Sequence, residues 1–425
     1  MRARWGVPAA LGAGAAWYAT NALRHHRAGR RGYELRGEDL DVGSEEFLRA
    51  TEALTNAPIS RGNDVELLVN GDAIFPAFLE TIEAAQRSLN LLTFVYWRGE
   101  IAHGVAGALA ERAAAGVAVN VLLDAVGTAK MEPQLITRMR EAGVTVARFR
   151  PPRLHTLGRW NNRTHRKVMV ADGELGMIGG VGIAEEWTGR AQDPEHWRDT
   201  HLRVRGPVVR GLQGAFGENW LEATGDVLVG PAFLPELTGR GGGGPMQLVR
   251  SSAGVGDTNV EALYFLAIAS ASRSIDLTAG YFAPRRAFVD ILAQASRRGV
   301  RVRVLVPGEH IDKEFVRIAG RAVYDELLAA GVRIWEYGPT MLHAKTMTVD
   351  GAWASVGSVN FDNRSFQLHD EATLCVQSQA FVDQLTHQFE RDLAVSDEID
   401  DGRWQGRPWH HHAREQTLRL VRREL

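Results

Sequence analysis

Short apolar runs separated by longer Ala-rich stretches organise the chain from residue 85 to residue 150. Residues 89–96, 117–123 and 144–149 are compact and rich in β-branched and aromatic side chains, as buried strands require. Residues 101–115 have helical length between two of these runs. The alternation then returns. Ala271-Ser272-Arg273-Ser274-Ile275 repeats Ala85-Gln86-Arg87-Ser88-Leu89. Gly299-Val300-Arg301-Val302 repeats Gly116-Val117-Ala118-Val119, and Ala330-Gly331-Val332 repeats Ala142-Gly143-Val144. An ordered series of this kind predicts an internal duplication. Strands alternating with helices predict an α/β fold. It is read as two tandem, repeat-related domains, each a mixed β-sheet flanked by helices.

Each copy ends in a different pattern. Residues 166–171 run into Asp172-Gly173, and residues 344–349 run into Asp350-Gly351. Asp-Gly between apolar runs predicts a hairpin. His165 and Lys167 open the first hairpin, and His343 and Lys345 open the second. Residues at i and i+2 share one face of a strand, so each His–Lys pair points to one place.

Composition sharpens that pairing. Lys and Arg total 49, yet only four are lysines: Lys130, Lys167, Lys313 and Lys345. They fall into two repeat-related pairs. Two of the four belong to a His-x-Lys-x4-Asp-x6-Gly pattern ending at Gly179 and Gly357. The formal net charge of −2 provides no global basic field for nucleic acid. The single cysteine, Cys375, excludes an intramolecular disulfide. Metal-ligand motifs such as His-Glu-x-x-His are absent, and no metal or other cofactor is expected.

At 425 residues the chain holds two domains of ordinary size. The expected segments are an N-terminal anchor with a basic flank at 1–35 and a first domain at 60–237. A Gly-rich linker follows at 238–245, then a second domain at 246–398 and a basic amphipathic tail at 399–425. Residues 5–23 carry no charge and as a helix would span about 28 Å, near the thickness of a bilayer core. Arg24, Arg27, Arg30 and Arg31 follow. This pattern favours a membrane anchor with a cytoplasmic catalytic body over an interfacial helix or a signal peptide. The oligomeric state is left open.

Two imidazoles and two ammonium groups meeting at one cleft suit double displacement at an anionic centre such as a phosphodiester. His343-x-Lys345-x4-Asp350-x6-Gly357-Ser358-x-Asn360 resembles the HKD motif of the phospholipase D superfamily in full. His165-x-Lys167-x4-Asp172-x6-Gly179 resembles a first copy. The stretches after Gly179 and Asn360 are most similar to the bacterial cardiolipin synthase branch. The resemblance implies two phospholipase D-like domains with the active site between them. It also implies a phosphatidyltransferase working on phospholipids at a membrane surface through a phosphohistidine, with a water-using phospholipase D as the alternative. A nucleic-acid phosphodiesterase is a more remote alternative, and nucleic acid is not expected as a partner.

Carried over to this chain, His165 is the expected nucleophile and His343 the acid and base. Lys167 and Lys345 hold the non-bridging oxygens. Downstream carboxylates orient the histidines: Glu371 stands 28 residues after His343, and Asp199 is its counterpart after His165. Ser358 and Asn360 are expected phosphate donors. Gly180 and Gly182 replace them in the first copy and are expected to donate backbone N–H groups. Asp172 and Asp350 are read as structural turn residues. Lys130 and Lys313, beyond the ends of matching strands, are expected to line the cleft mouth.

Overall fold

The computed structural model describes residues 34–37, 40–152, 161–239, 241–253, 257–400, 402 and 404. The expected membrane-anchor run 5–23, Arg240 of the linker and almost all of the C-terminal tail lie outside them. Among the described residues, no helix is long and apolar enough to cross a membrane.

The apolar runs of the first repeat become a seven-stranded sheet. Its strands are β1 (Asp64–Val69), β2 (Ser88–Thr93), β3 (Ala118–Asp124), β4 (Thr145–Phe149), β5 (Val168–Ala171), β6 (Leu175–Gly179) and β7 (Thr200–Arg205). They lie in the order β1-β7-β6-β5-β2-β3-β4. The second repeat supplies β8 (Met246–Ser251), β9 (Ser274–Ala279), β10 (Arg301–Pro307), β11 (Arg333–Tyr337), β12 (Lys345–Val349), β13 (Trp353–Gly357) and β14 (His369–Gln377). Within a ten-stranded sheet these run β8-β14-β13-β12-β9-β10-β11, the same order. In both sheets the strands joined by long helical crossovers pair in parallel, and the hairpin strands pair antiparallel.

The two sheets face each other. Val168, Val170, Ile178 and Leu202 of the first share one core with Ala354, Val356, Ala372 and Leu374 of the second. Helices cover the outer faces: Ile74, Phe78, Val105 and Leu109 pack on the first sheet, and Leu263, Phe288 and Leu292 on the second. The repeats also exchange backbone. Ile59–Ser60 pairs with β8, and Arg163–Thr164, just ahead of His165, pairs in parallel with β14. Phe47, on the helix Glu45–Thr55, packs in the second repeat's core with its ring 6.0 Å from Trp353.

Both Asp-Gly sequences form the hairpin turns. Asp172 and Asp350 adopt φ of +55°, and Gly173 and Gly351 follow at +68° and +67°. The Asp172 carboxylate accepts the consecutive N–H groups of Gln86, Arg87 and Ser88 at 2.9, 2.7 and 2.8 Å. Asp350 accepts those of Ser272, Arg273 and Ser274 at 2.8, 2.7 and 2.8 Å. Each carboxylate thus ties its hairpin to the start of the neighbouring strand. Asp350→Ala frees three backbone donors on exposed and half-buried residues, where water can replace the carboxylate, so each lost bond costs about 0.5–1.5 kcal/mol net. The expected outcome is a fall in the thermal midpoint of several degrees, read by calorimetry, with KM unchanged in the surviving folded fraction.

Candidate active site

The hairpins bring both motif pairs to one buried centre. His165, Lys167, His343 and Lys345 are all at least nine-tenths buried, as are Asp199 and Glu371. The same alternation that turns His165 and Lys167 one way turns Arg166 the other.

Each histidine is held by the opposite repeat. The His165 N–H donates to the Asp370 carbonyl at 2.8 Å, and its Nδ1 lies 3.1 Å from both carboxylate oxygens of Glu371. The His343 N–H donates to the Arg198 carbonyl at 2.7 Å, and its Nδ1 lies 2.7 Å from Asp199 Oδ2. The pairing is therefore crossed. Each backbone anchor is the residue just before the opposite carboxylate. The carboxylate downstream of one motif serves the histidine of the other, and the within-copy reading of these carboxylates gives way to this arrangement.

The surroundings of the two histidines differ. Around His165 Nδ1 the third neighbour is the Ser358 carbonyl at 3.1 Å. All partners there are acceptors, so Nδ1 carries the proton and Nε2 keeps its lone pair. Around His343 Nδ1 the carboxylate of Asp199 competes with the Lys345 ammonium, 2.8 Å away. Asp199 favours a proton on Nδ1, and Lys345 favours one on Nε2. Trp187 Nε1–H and the Thr200 N–H also donate to Asp199, at 2.9 and 2.7 Å. Rings of Trp187, Trp197 and Tyr281 surround His343 at 5.2, 5.7 and 6.2 Å, whereas Phe94 packs on His165 at 5.1 Å.

Burial sets the charge states. It pushes His343 down to about 4, helped by the Lys345 ammonium, and holds His165 well below the usual imidazole range. Both are neutral at pH 7. Burial is the largest influence and would raise Glu371 and Asp199, but His165 and His369 beside Glu371, and His343, Lys345 and the Thr200 N–H beside Asp199, together hold each carboxylate below its ordinary value. Lys167 is pushed down to about 7 by burial and by Lys345, and burial takes Lys345 to about 8. Lowered pKa values mean that the unfolded chain binds more protons. The Lys167 contribution to stability is therefore full above pH 10.5, its unfolded value, and lost as pH falls to about 7. Lys167→Met should melt at a higher temperature than the parent at pH 7, and the difference should shrink by pH 10.

Several expected donors have other work. The Ser358 hydroxyl donates to Glu371 Oε2 and accepts the Ala372 N–H at 3.1 Å, so it orients the carboxylate. The Gly180 N–H donates to the Thr200 carbonyl at 3.1 Å and is likewise occupied. A Cβ at Gly180 would lie 2.2 Å from Asp199 Oδ1, and one at Gly182 would lie 2.7 Å from Val95 Cβ. These glycines let the backbone pass close to its neighbours. Asn360 is buried, and its Oδ1 accepts the Tyr281 N–H at 3.2 Å. Lys130 and Lys313 are exposed at equivalent places. Lys130 Nζ sits 4.1 Å over the Trp97 ring and Lys313 Nζ 4.8 Å over Tyr281. Tyr281 touches His343 directly, and Trp97 reaches it through Trp187, 6.0 Å away.

The motif reading passed over two residues. Arg166 is fully buried. It donates to the Glu371, Ala215 and Ser251 carbonyls at 3.1, 2.8 and 2.9 Å, clamping the backbone that bears Glu371. His369 precedes Glu371 by two residues on β14, and its ring lies 5.4 Å from His165. Strand alternation from Glu371 would have found it. His165, His369 and Glu371 each offer a donor atom within 4.8 Å of the others.

The chain is similar to several known proteins. A family model described as "Cardiolipin synthase, PLD-like domain" matches residues 78–193 and 264–393. A cardiolipin synthase of Geobacillus sp. (strain WCH70) is 36% identical over 388 residues, covering 90% of this chain and 77% of that protein. Cardiolipin synthase A of Pseudomonas fluorescens (strain SBW25) is 36% identical over 356 residues, covering 83% and 73%. Phosphatidylserine synthase of Haemophilus influenzae Rd KW20 superposes with a TM-score of 0.63 at 14% identity, over 90% of this chain and 100% of that one, which shows the shared fold. The duplicated sheets, the two motifs at their junction and relatives matched over most of their length agree: the chain belongs to the cardiolipin synthase family of phospholipase D-like proteins.

Proposed function

We propose that this protein is a membrane-associated phosphatidyltransferase that moves a phosphatidyl group between phospholipid alcohols through a phosphohistidine on His165. The observation that supports it most is the crossed pairing of two neutral imidazoles with two carboxylates beside Lys167 and Lys345. His165 Nε2 attacks phosphorus. The P–O bond to the leaving alcohol breaks, and His343, which takes up a proton when the anionic substrate binds, delivers its Nε2 proton to that oxygen and returns to the neutral form. His343 Nε2 then takes the proton of an entering alcohol, whose oxygen attacks phosphorus and breaks the P–N bond. The fixed tautomer of His165 suits the nucleophile. The two competing partners of His343 Nδ1 suit a group that must both give and take a proton. Lys167 and Lys345 neutralise the non-bridging oxygens, which gain charge in the transition state. A bound phosphodiester anion raises the proton affinity of both lysines and of His343, so substrate binding takes up protons.

Product analysis by mass spectrometry tests this reading. With phosphatidylglycerol alone, the expected products are cardiolipin and glycerol, and added glycerol should suppress net transfer. Phosphatidic acid as the dominant product would favour the water-using alternative. Lys130 and Lys313 are proposed to guide the anionic headgroup toward the His343 side. The Lys130→Ala, Lys313→Ala double variant should raise KM several-fold for phosphatidylglycerol and leave kcat within about twofold, as lost uniform binding does. An unchanged KM would show that these lysines do not guide the headgroup.

A further inference from the structure

His369 lies beside His165 and Glu371, and the proposed reaction gives it no role. It shares a face of β14 with Glu371, and its Nδ1 lies 3.7 Å from Glu371 Oε1. That nitrogen is buried and has no hydrogen-bond partner, while the side chain as a whole keeps 12% exposure and thus a path to solvent. His165 Nδ1 lies 3.1 Å from the same carboxylate oxygen. Around a tetrahedral zinc with bonds of about 2.0–2.1 Å, neighbouring ligand atoms stand about 3.4 Å apart. The two measured edges straddle that value, and all three donors lie within 4.8 Å of one another.

We propose that His165, His369 and Glu371 form an inhibitory site for a borderline divalent cation such as Zn2+. Two imidazoles and a carboxylate are three of the four ligands that zinc takes, with water at the fourth position. Coordination through His165 Nδ1 uses the lone pair that appears when its proton moves, through solvent, to Nε2. The imidazole stays neutral, but the nitrogen that attacks phosphorus no longer has a lone pair. Glu371 is captured at the same time. The Lys167 ammonium opposes cation binding and weakens the site. Mg2+ and Ca2+, which prefer oxygen ligands, are excluded by the two nitrogens. Inhibition rests on His165 being the nucleophile; the site itself does not.

The test uses the full chain in detergent and Co2+ as the probe. The expected result is one equivalent of cobalt with the intense visible bands of four-coordinate geometry, displaced by Zn2+. His369→Asn should weaken cobalt binding at least about tenfold, with His369→Gln as the second variant should the first melt early. In the transfer assay, micromolar Zn2+ should inhibit and EDTA should restore the rate, while millimolar Mg2+ has no effect. His369→Asn should need at least about tenfold more Zn2+ to halve its own metal-free rate. Absent four-coordinate bands, or equal cobalt affinity in parent and variant, would overturn the site. A cobalt site with full turnover under saturating Zn2+ would overturn the inhibitory role and count against His165 as nucleophile.

Discussion

His165→Ala should lower phosphatidyl transfer by about 10^5-fold or more, the scale on which removal of an attacking nucleophile is felt. Neither His343 nor His369 takes its place. His343 is held by Asp199 and Lys345 in the other half, and His369 Nδ1 is directed at Glu371. His343→Ala should behave differently. Loss of a general acid and base costs about 10^2–10^4-fold on an ordinary lipid. With a substrate whose leaving group needs no proton, His343→Ala should still form the covalent adduct and then stall, because nothing deprotonates the entering alcohol. Rapid-quench kinetics on both variants, with calorimetry to show that each remains folded, separates the roles. Equal adduct formation in the two variants would contradict the assignment.

The crossed pairing yields the second large effect. Glu371→Gln removes the charge that holds His165 with Nδ1 protonated, and the comparable change in a serine hydrolase triad costs about 10^4-fold. The loss should fall on adduct formation, since His165 is the affected histidine. Asp199→Asn should reduce turnover by about 10^2–10^4-fold. It should spare adduct formation from a good leaving group, because Asp199 serves His343. Within-copy pairing predicts the opposite pattern. Single-turnover rates of the two variants on the same substrate therefore decide which carboxylate orients which histidine.

Much of this was legible in the sequence because duplication leaves a register. The matched runs at 116 and 299 are β3 and β10, and the Asp-Gly turns are where alternation placed them. The motif pairs His165–Lys167 and His343–Lys345 could be named because chemistry restricts them to those residue types. The crossing of carboxylates could not be read, because it depends on how two sheets face each other and spacing along one chain carries no such information. Ser358 and Gly180 illustrate a different limit. The motif specifies a hydroxyl and a small residue, but only packing shows that the hydroxyl serves Glu371 and that a side chain at Gly180 would strike Asp199. Arg166 occupied the unspecified position of the motif, and its role as a buried clamp appears only once Ala215 and Ser251 surround it.

The proposed mechanism turns on a phosphatidyl group carried by His165. The most direct test is to quench the wild-type chain during turnover of phosphatidylglycerol, digest it under alkaline conditions that preserve phosphohistidine, and map the adduct by mass spectrometry. The expected adduct is a phosphatidyl group on the peptide bearing His165, discharged to cardiolipin when more phosphatidylglycerol is supplied. An adduct on His343, or turnover with no adduct on any histidine, would contradict it.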